Sequence, residues 1–78
     1  MTLEIVTPDS KLFSGEVNLV QVPGTKGSFA ILKNHAPIVS TLEKGQIRIM
    51  DEQNVEQEFT IGGGIVEVNN NVITILAE

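Results

Sequence analysis

The chain has 78 residues, no cysteine, and ten acidic against five basic residues, for a net charge of −5. A chain this short is one domain, residues 1–78, that buries only about 60% of the surface its unfolded form exposes, and it has neither disulfides nor thiolate metal sites to reinforce it. The acidic balance, without a basic cluster and without Tyr or Trp, argues against nucleic-acid binding, which needs a positive footprint and aromatic stacking surfaces, and against attraction to anionic lipid headgroups.

The longest uninterrupted apolar run is the four residues Phe29–Leu32, far below the ~20 that span a bilayer. Met1-Thr2-Leu3-Glu4 lacks the basic-then-apolar opening of a secretory signal, so the expected compartment is cytoplasmic. Ile and Val supply eighteen of the thirty-two hydrophobic residues, and β-branched side chains favour pleated sheet. Gly and Pro recur too often for a stable helix to fit between them. The pattern predicts short strands at Leu3–Val6, Lys11–Phe13, Glu16–Val22, Ser28–Leu32, Ile38–Thr41, Gln46–Met50, Val55–Ile61, Ile65–Val68 and Val72–Leu76, an all-β sandwich or barrel.

Within that series the segment Pro23 to Gly27 reads as a tight turn. Its Gly24-Thr25-Lys26-Gly27-Ser28 has the residue types of a phosphate loop in the wrong order, because Lys26 precedes Gly27 and a strand follows. The hairpin from Gln46 to Ile61 is fixed by parity. Ile47 and Ile49 share one face, and Val55, Phe59 and Ile61 another; only an odd loop or a bulge brings these sets together, setting Arg48 opposite Glu56 or Glu58. Gly62-Gly63-Gly64 is followed by no helix and reads as a bend between sheets, at positive φ. The last hairpin is expected to turn through three residues, Asn69-Asn70-Asn71. That loop would put Val66, Val68, Val72, Thr74 and Leu76 on one face, with Ile65, Ile73, Ile75 and Glu67 on the other. Two apolar faces call either for a second sheet plus a partner, or for burial within the fold.

Chemistry is sparse. His35, the only histidine, has no second histidine or cysteine for metal ligation. As a general base it would need a nucleophile within reach; Ser28 and Ser40 are candidates, but no nucleophile elbow is present. The expected role of His35 is a loop hydrogen bond or an interface contact, and no catalytic residue, cofactor or metal is assigned.

The stretches LEIVTPDSKLFSGEV, VPGTKGSFAIL, NHAPIVSTLEKGQIRI and GGGIVEVNNNVITILAE follow one another in an order that resembles the epsilon subunit of the bacterial F-type ATP synthase, equivalent to mitochondrial delta. The landmarks are Phe13-Ser14-Gly15, His35-Ala36-Pro37, Gly63-Gly64 with Glu67-Val68, and Val72 to Ala77. The resemblance implies a flattened β-sandwich of about ten strands, a noncatalytic part of the rotor's central stalk. Such a domain packs beside gamma, rests on the membrane-embedded c-ring and couples ion flow to ATP synthesis, peripherally at the cytoplasmic face of the bacterial inner membrane. Carried across, Thr25, Lys26, Gly27, Ser28 and Phe29 match the ring-facing loop. Thr7, His35, Ala36, Val39, Ser40 and Gln46 match positions toward gamma. Relatives usually carry Glu-Leu-Gly where this chain has Ser28-Phe29-Ala30, so apolar contact through Phe29 replaces a carboxylate. Their Pro-Gly becomes Lys33-Asn34, leaving Asn34 to take positive φ.

In many relatives a helical hairpin that can block ATP hydrolysis follows the sandwich, and this sequence stops at Glu78, about where that hairpin begins. If the 78 residues are the natural full length, inhibition by that mechanism is not open to it; if they are an excised domain, the question belongs to the remainder. The competing readings are a free-standing β-sandwich that binds a peptide or sugar, and a small hydrolase built on His35.

Overall fold

The computed structural model describes residues 1–78 and consists of eight strands without a helix. They are β1 (Thr2–Val6), β2 (Lys11–Val22), β3 (Phe29–Leu32), β4 (Ile38–Leu42), β5 (Gly45–Asp51), β6 (Glu56–Ile61), β7 (Gly64–Asn69) and β8 (Val72–Ala77). One sheet runs β4-β7-β8-β1-β2-β5-β6, with β3 also on β2, and it curls over into two layers. The layers form a flattened body of 27 × 24 × 18 Å.

The curl is made by β2. Lys11 to Glu16 pair with β1 in the first layer. Leu19 to Val22 pair with β3, and Val17 to Gln21 with β5, in the second. The sequence predicts two strands here; the structure has one of twelve residues, because Ser14 and Gly15 continue the ladder instead of ending it. This merger accounts for eight strands in place of nine read from the pattern. The register slips between Val17 and Leu19, so the inward set changes from Val17 to Val20 and Val22, all buried. A bulge of this kind bends a strand and strengthens its twist. Asn18 fastens the site by donating from Nδ2 to the Asp51 carbonyl at 3.2 Å.

Fifteen buried apolar side chains form one core between the layers, including Leu3, Ile5, Ile73 and Ile75 from the first and Val20, Ile31, Ile47 and Ile49 from the second. No polar side chain is buried. Phe13 and Phe59 close one side with an edge-on contact, centroids 6.0 Å apart.

The odd-loop reading of the β5–β6 hairpin is correct: Ile47 opposes Phe59 and Arg48 opposes Glu58. The reading of the last hairpin is not. Val68 pairs with Ile73 and Asn69 with Val72, which leaves a two-residue turn, Asn70-Asn71, with φ of 49° and 61°. Positive φ at both central residues gives a two-residue turn whose twist matches that of the flanking strands, and asparagine tolerates it. The faces therefore re-sort. Val66, Val68, Ile73, Ile75 and Ala77 point into the core, while Ile65, Glu67, Val72 and Leu76 point out.

The glycine bend behaves as expected. Gly63 and Gly64 take φ of 144° and 152° between β6 in one layer and β7 in the other, and a Cβ on Gly64 would run into the Leu76 carbonyl oxygen. Gly64→Ala is expected to lower unfolding free energy by roughly 2–4 kcal/mol through backbone strain and overpacking, read as a fall in the urea midpoint at unchanged slope.

Candidate functional site

The outward surface of the first layer is the less polar of the two. Val39 is 71% exposed, Leu76 54%, Val72 50% and Ile65 44%, four of the seven exposed large hydrophobics of the chain. Register places Ile65 opposite Leu76 and Leu76 beside Val6, so these three make an apolar row across β7, β8 and β1. The largest hollow of the molecule lies at the end of this row, where Val6, Pro8, Ile65 and Leu76 meet the Gly62–Gly64 bend. The second layer's outer surface is pinned by Arg48. Its Nε and Nη2 donate to Gln21 Oε1 at 3.0 and 2.8 Å, and Nη1 donates to Glu56 at 3.0 Å.

A second hollow is lined by Gly24 to Phe29 and by Val39, Ser40 and Thr41. A turn closed by Gly27 N–H donating to the Gly24 carbonyl at 2.9 Å shapes its rim, as the sequence predicts for Pro23 to Gly27. Thr25 holds the rim to β4, donating its N–H to the Thr41 carbonyl at 3.1 Å, with the two threonine hydroxyls 2.8 Å apart. Thr25, Lys26, Gly27, Ser28 and Phe29, expected to face the ring, thus adjoin Val39 and Ser40 of the set expected to face gamma. Phe29 differs from the expectation of a freely offered apolar contact. Its ring is half-buried against the core and covers Gly24, because β3 alternation turns Phe29 and Ile31 inward.

His35 and Ala36 stand at a separate corner. The His35 N–H donates to the Leu32 carbonyl at 3.1 Å, and its Nδ1 donates to the Ala36 carbonyl at 2.7 Å. Ser40 Oγ bonds instead to the Thr41 carbonyl. His35 is therefore a loop residue, and no His–Ser pair forms. The corner is held by two amides: Asn34 N–H donates to Asn71 Oδ1 at 2.6 Å, and Asn71 Nδ2 donates to Asn34 Oδ1 at 3.1 Å. Asn34 has the positive φ foreseen for it, 66°. Thr7 lies in the larger hollow with its hydroxyl bonded to Ser10. Gln46 is exposed on the other layer, opposite Thr60. The structure therefore gathers Val39 and Ser40 with the Thr25–Phe29 loop and leaves Thr7, Gln46 and the His35 corner apart.

The sequence matches the family described as ATP synthase, Delta/Epsilon chain, beta-sandwich domain, over residues 1–78. The chain belongs to that family. Among its relatives are the ATP synthase epsilon chains of Chlorobaculum tepidum, 44% identical over 99% of this chain and 88% of the relative, and of Caulobacter vibrioides, 45% identical over 95% and 85%. That of Maridesulfovibrio salexigens is 45% identical over 100% of this chain and 54% of its own length, so relatives differ in how much of their length lies outside the matched region. The fold is shared with a chain of the Euglena gracilis mitochondrial ATP synthase, in a structure of OSCP, F1 and c-ring, at TM-score 0.89 and 23% identity over 96% of this chain and 48% of that one. A chain of the Tetrahymena thermophila central stalk and c-ring matches at TM-score 0.82 and 20% identity, over 97% and 61%. As an epsilon-type chain it is a noncatalytic subunit of the ATP synthase complex, a membrane-associated assembly.

Sequence reasoning missed the Ile65–Leu76–Val6 row because the three-residue turn put Ile65 and Leu76 on opposite faces. The paired asparagines were the available signal, since two adjacent residues that tolerate positive φ are what a two-residue hairpin turn requires. Asn71→Ala removes both amide bonds to Asn34 and a residue suited to φ of 61°. It is expected to cost roughly 1–3 kcal/mol and to speed exchange of the Asn34 amide.

Proposed function

We propose that residues 1–78 act as a single epsilon-type β-sandwich domain in the rotor of an F-type ATP synthase, linking gamma to the c-ring and coupling ion translocation to ATP synthesis. In this reading the domain sits peripherally at the cytoplasmic face of the bacterial inner membrane. No helix of the chain is long and apolar enough to cross a membrane. The single observation that carries the reading is the match of the whole chain to the epsilon family, and the outer apolar surface of the first layer supports it.

Mechanical transmission suits the construction. A core of interdigitated side chains at near-crystalline density resists shear, and an exposed apolar row with an uncharged edge strand is completed by neighbouring subunits. Thr25, Lys26, Gly27, Ser28 and Phe29 are assigned to the ring. Thr7, His35, Ala36, Val39, Ser40 and Gln46 are assigned to gamma. The shared hollow of Val39 and Ser40 with the loop makes the two contacts contiguous at that point.

Mixed with the gamma subunit at micromolar concentration, the protein is expected to form a complex that buries more than ~1,000 Å². Absence of a complex in size-exclusion chromatography would overturn the assignment. Val39→Asp places a charge on a side chain that is 71% exposed, so the isolated fold should be unchanged while affinity for gamma falls by at least about tenfold. Equal affinity, measured by calorimetry, would remove Val39 from that interface.

A further inference from the structure

The β4 edge carries an unfinished hydrogen-bonding ladder. This strand pairs only with β7. Thr41 directs its carbonyl away from β7, to the Thr25 N–H, and residues two apart in a strand direct their backbone groups the same way. The N–H and C=O of Val39 and the N–H of Thr41 therefore project from the free edge. On that side the chain begins a ladder of its own. Gly24 bridges Leu42, Thr25 N–H reaches Thr41, and Glu43 N–H reaches the Pro23 carbonyl at 2.8 Å. The chain then turns off through Gly27, and beside the abandoned edge lies the hollow lined by Gly24–Phe29 and Val39–Thr41.

Other edges of the sheet are blunted. β6 carries Glu56 and Glu58, and β3 has only four residues, both recognised protections against stray pairing. β4 reads Ile-Val-Ser-Thr-Leu without a charge.

We propose that this edge is a seat for an added β-strand: an extended segment of gamma takes over the line the chain leaves at Thr25, bonding Val39 and Thr41 through its backbone. Strand addition of this kind draws affinity from main-chain hydrogen bonds and selectivity from the side-chain sites beside them. Lys26 is the only charged residue lining the hollow, and its other side chains are hydroxyls, Val39 and Phe29. The incoming segment is therefore neutral or acidic. The inference rests on the assignment of gamma as partner and adds the mode of contact.

The test is amide hydrogen exchange of the intact chain, alone and with gamma, together with Val39→Pro and Val39→Ala. Proline removes the outward N–H without touching the β4–β7 ladder; alanine removes the side chain alone. In the complex, exchange at Val39 and Thr41 should slow by at least about tenfold. Val39→Pro should weaken binding by roughly three- to tenfold more than Val39→Ala. A complex in which both amides exchange as in the free chain overturns strand addition while leaving the rotor assignment standing. Protection that appears in the chain alone and grows with its concentration gives the edge to a second copy, and overturns gamma as occupant. If no complex forms, the rotor assignment itself fails and this inference falls with it.

Discussion

One strand belongs to both layers, and the rest of the structure depends on it. The first half of β2 completes the layer of β1, β8, β7 and β4; its second half founds the layer of β3, β5 and β6. The bulge at Val17–Leu19 lets the same strand serve both. It bends the chain and shifts the inward parity, so Val17 and Val20 both reach one core. With no cysteine and no buried polar side chain, that core is the main apolar source of stability in a chain of this length. Both outward surfaces are then free to differ, one laced by Arg48 and its partners, the other bearing Val39, Ile65, Val72 and Leu76.

The division of surfaces is what the proposed role in transmission requires. A domain that changes no bonds acts only through its stiffness and its contacts. The stiffness comes from Ile and Val side chains with few rotamers, packed on a pleated surface. Several of the contacts proposed above lie at edges and corners whose positions the backbone fixes: the turn closed between Gly24 and Gly27, and the His35 corner that the amide pair Asn34–Asn71 holds. The His35 corner and the turn of the last hairpin are thereby held as one unit, although 37 positions separate Asn34 from Asn71.

Much of this was legible in the residues. The β-branched content gave the class, and alternation gave most strands. Parity arguments placed Ile47 against Phe59, because one face of a hairpin has to be apolar as a set. The glycine bend followed from backbone sterics, and the positive φ of Asn34 from the resemblance, which puts this residue where relatives carry the glycine of Pro-Gly. What the sequence hid were features set by tertiary packing. Ser14-Gly15 looks like a strand end, yet β1 pairs straight through it. Asn69-Asn70-Asn71 looks like a three-residue loop, but strand twist selects the two-residue turn and moves every side chain of β8 to the other face. Of the interaction residues, the Thr25–Phe29 loop could be placed beside Val39 and Ser40 only after the Gly24–Leu42 bridge was seen. Nothing local in the sequence reports a bridge between positions so far apart.

The position of β8 has a consequence for how the chain is made. It lies between β7 and β1 and pairs with β1 in parallel, Thr2 beside Val72 and Val6 beside Leu76. Strand β1 thus waits for β8, made well after it, before its layer can close. The layer of β2, β3, β5 and β6 needs nothing beyond Ile61 and can be complete while the remainder is still being synthesised. Contacts so distant along the chain are formed late, so vectorial synthesis builds one half of the sandwich as a template and lays the other half onto it.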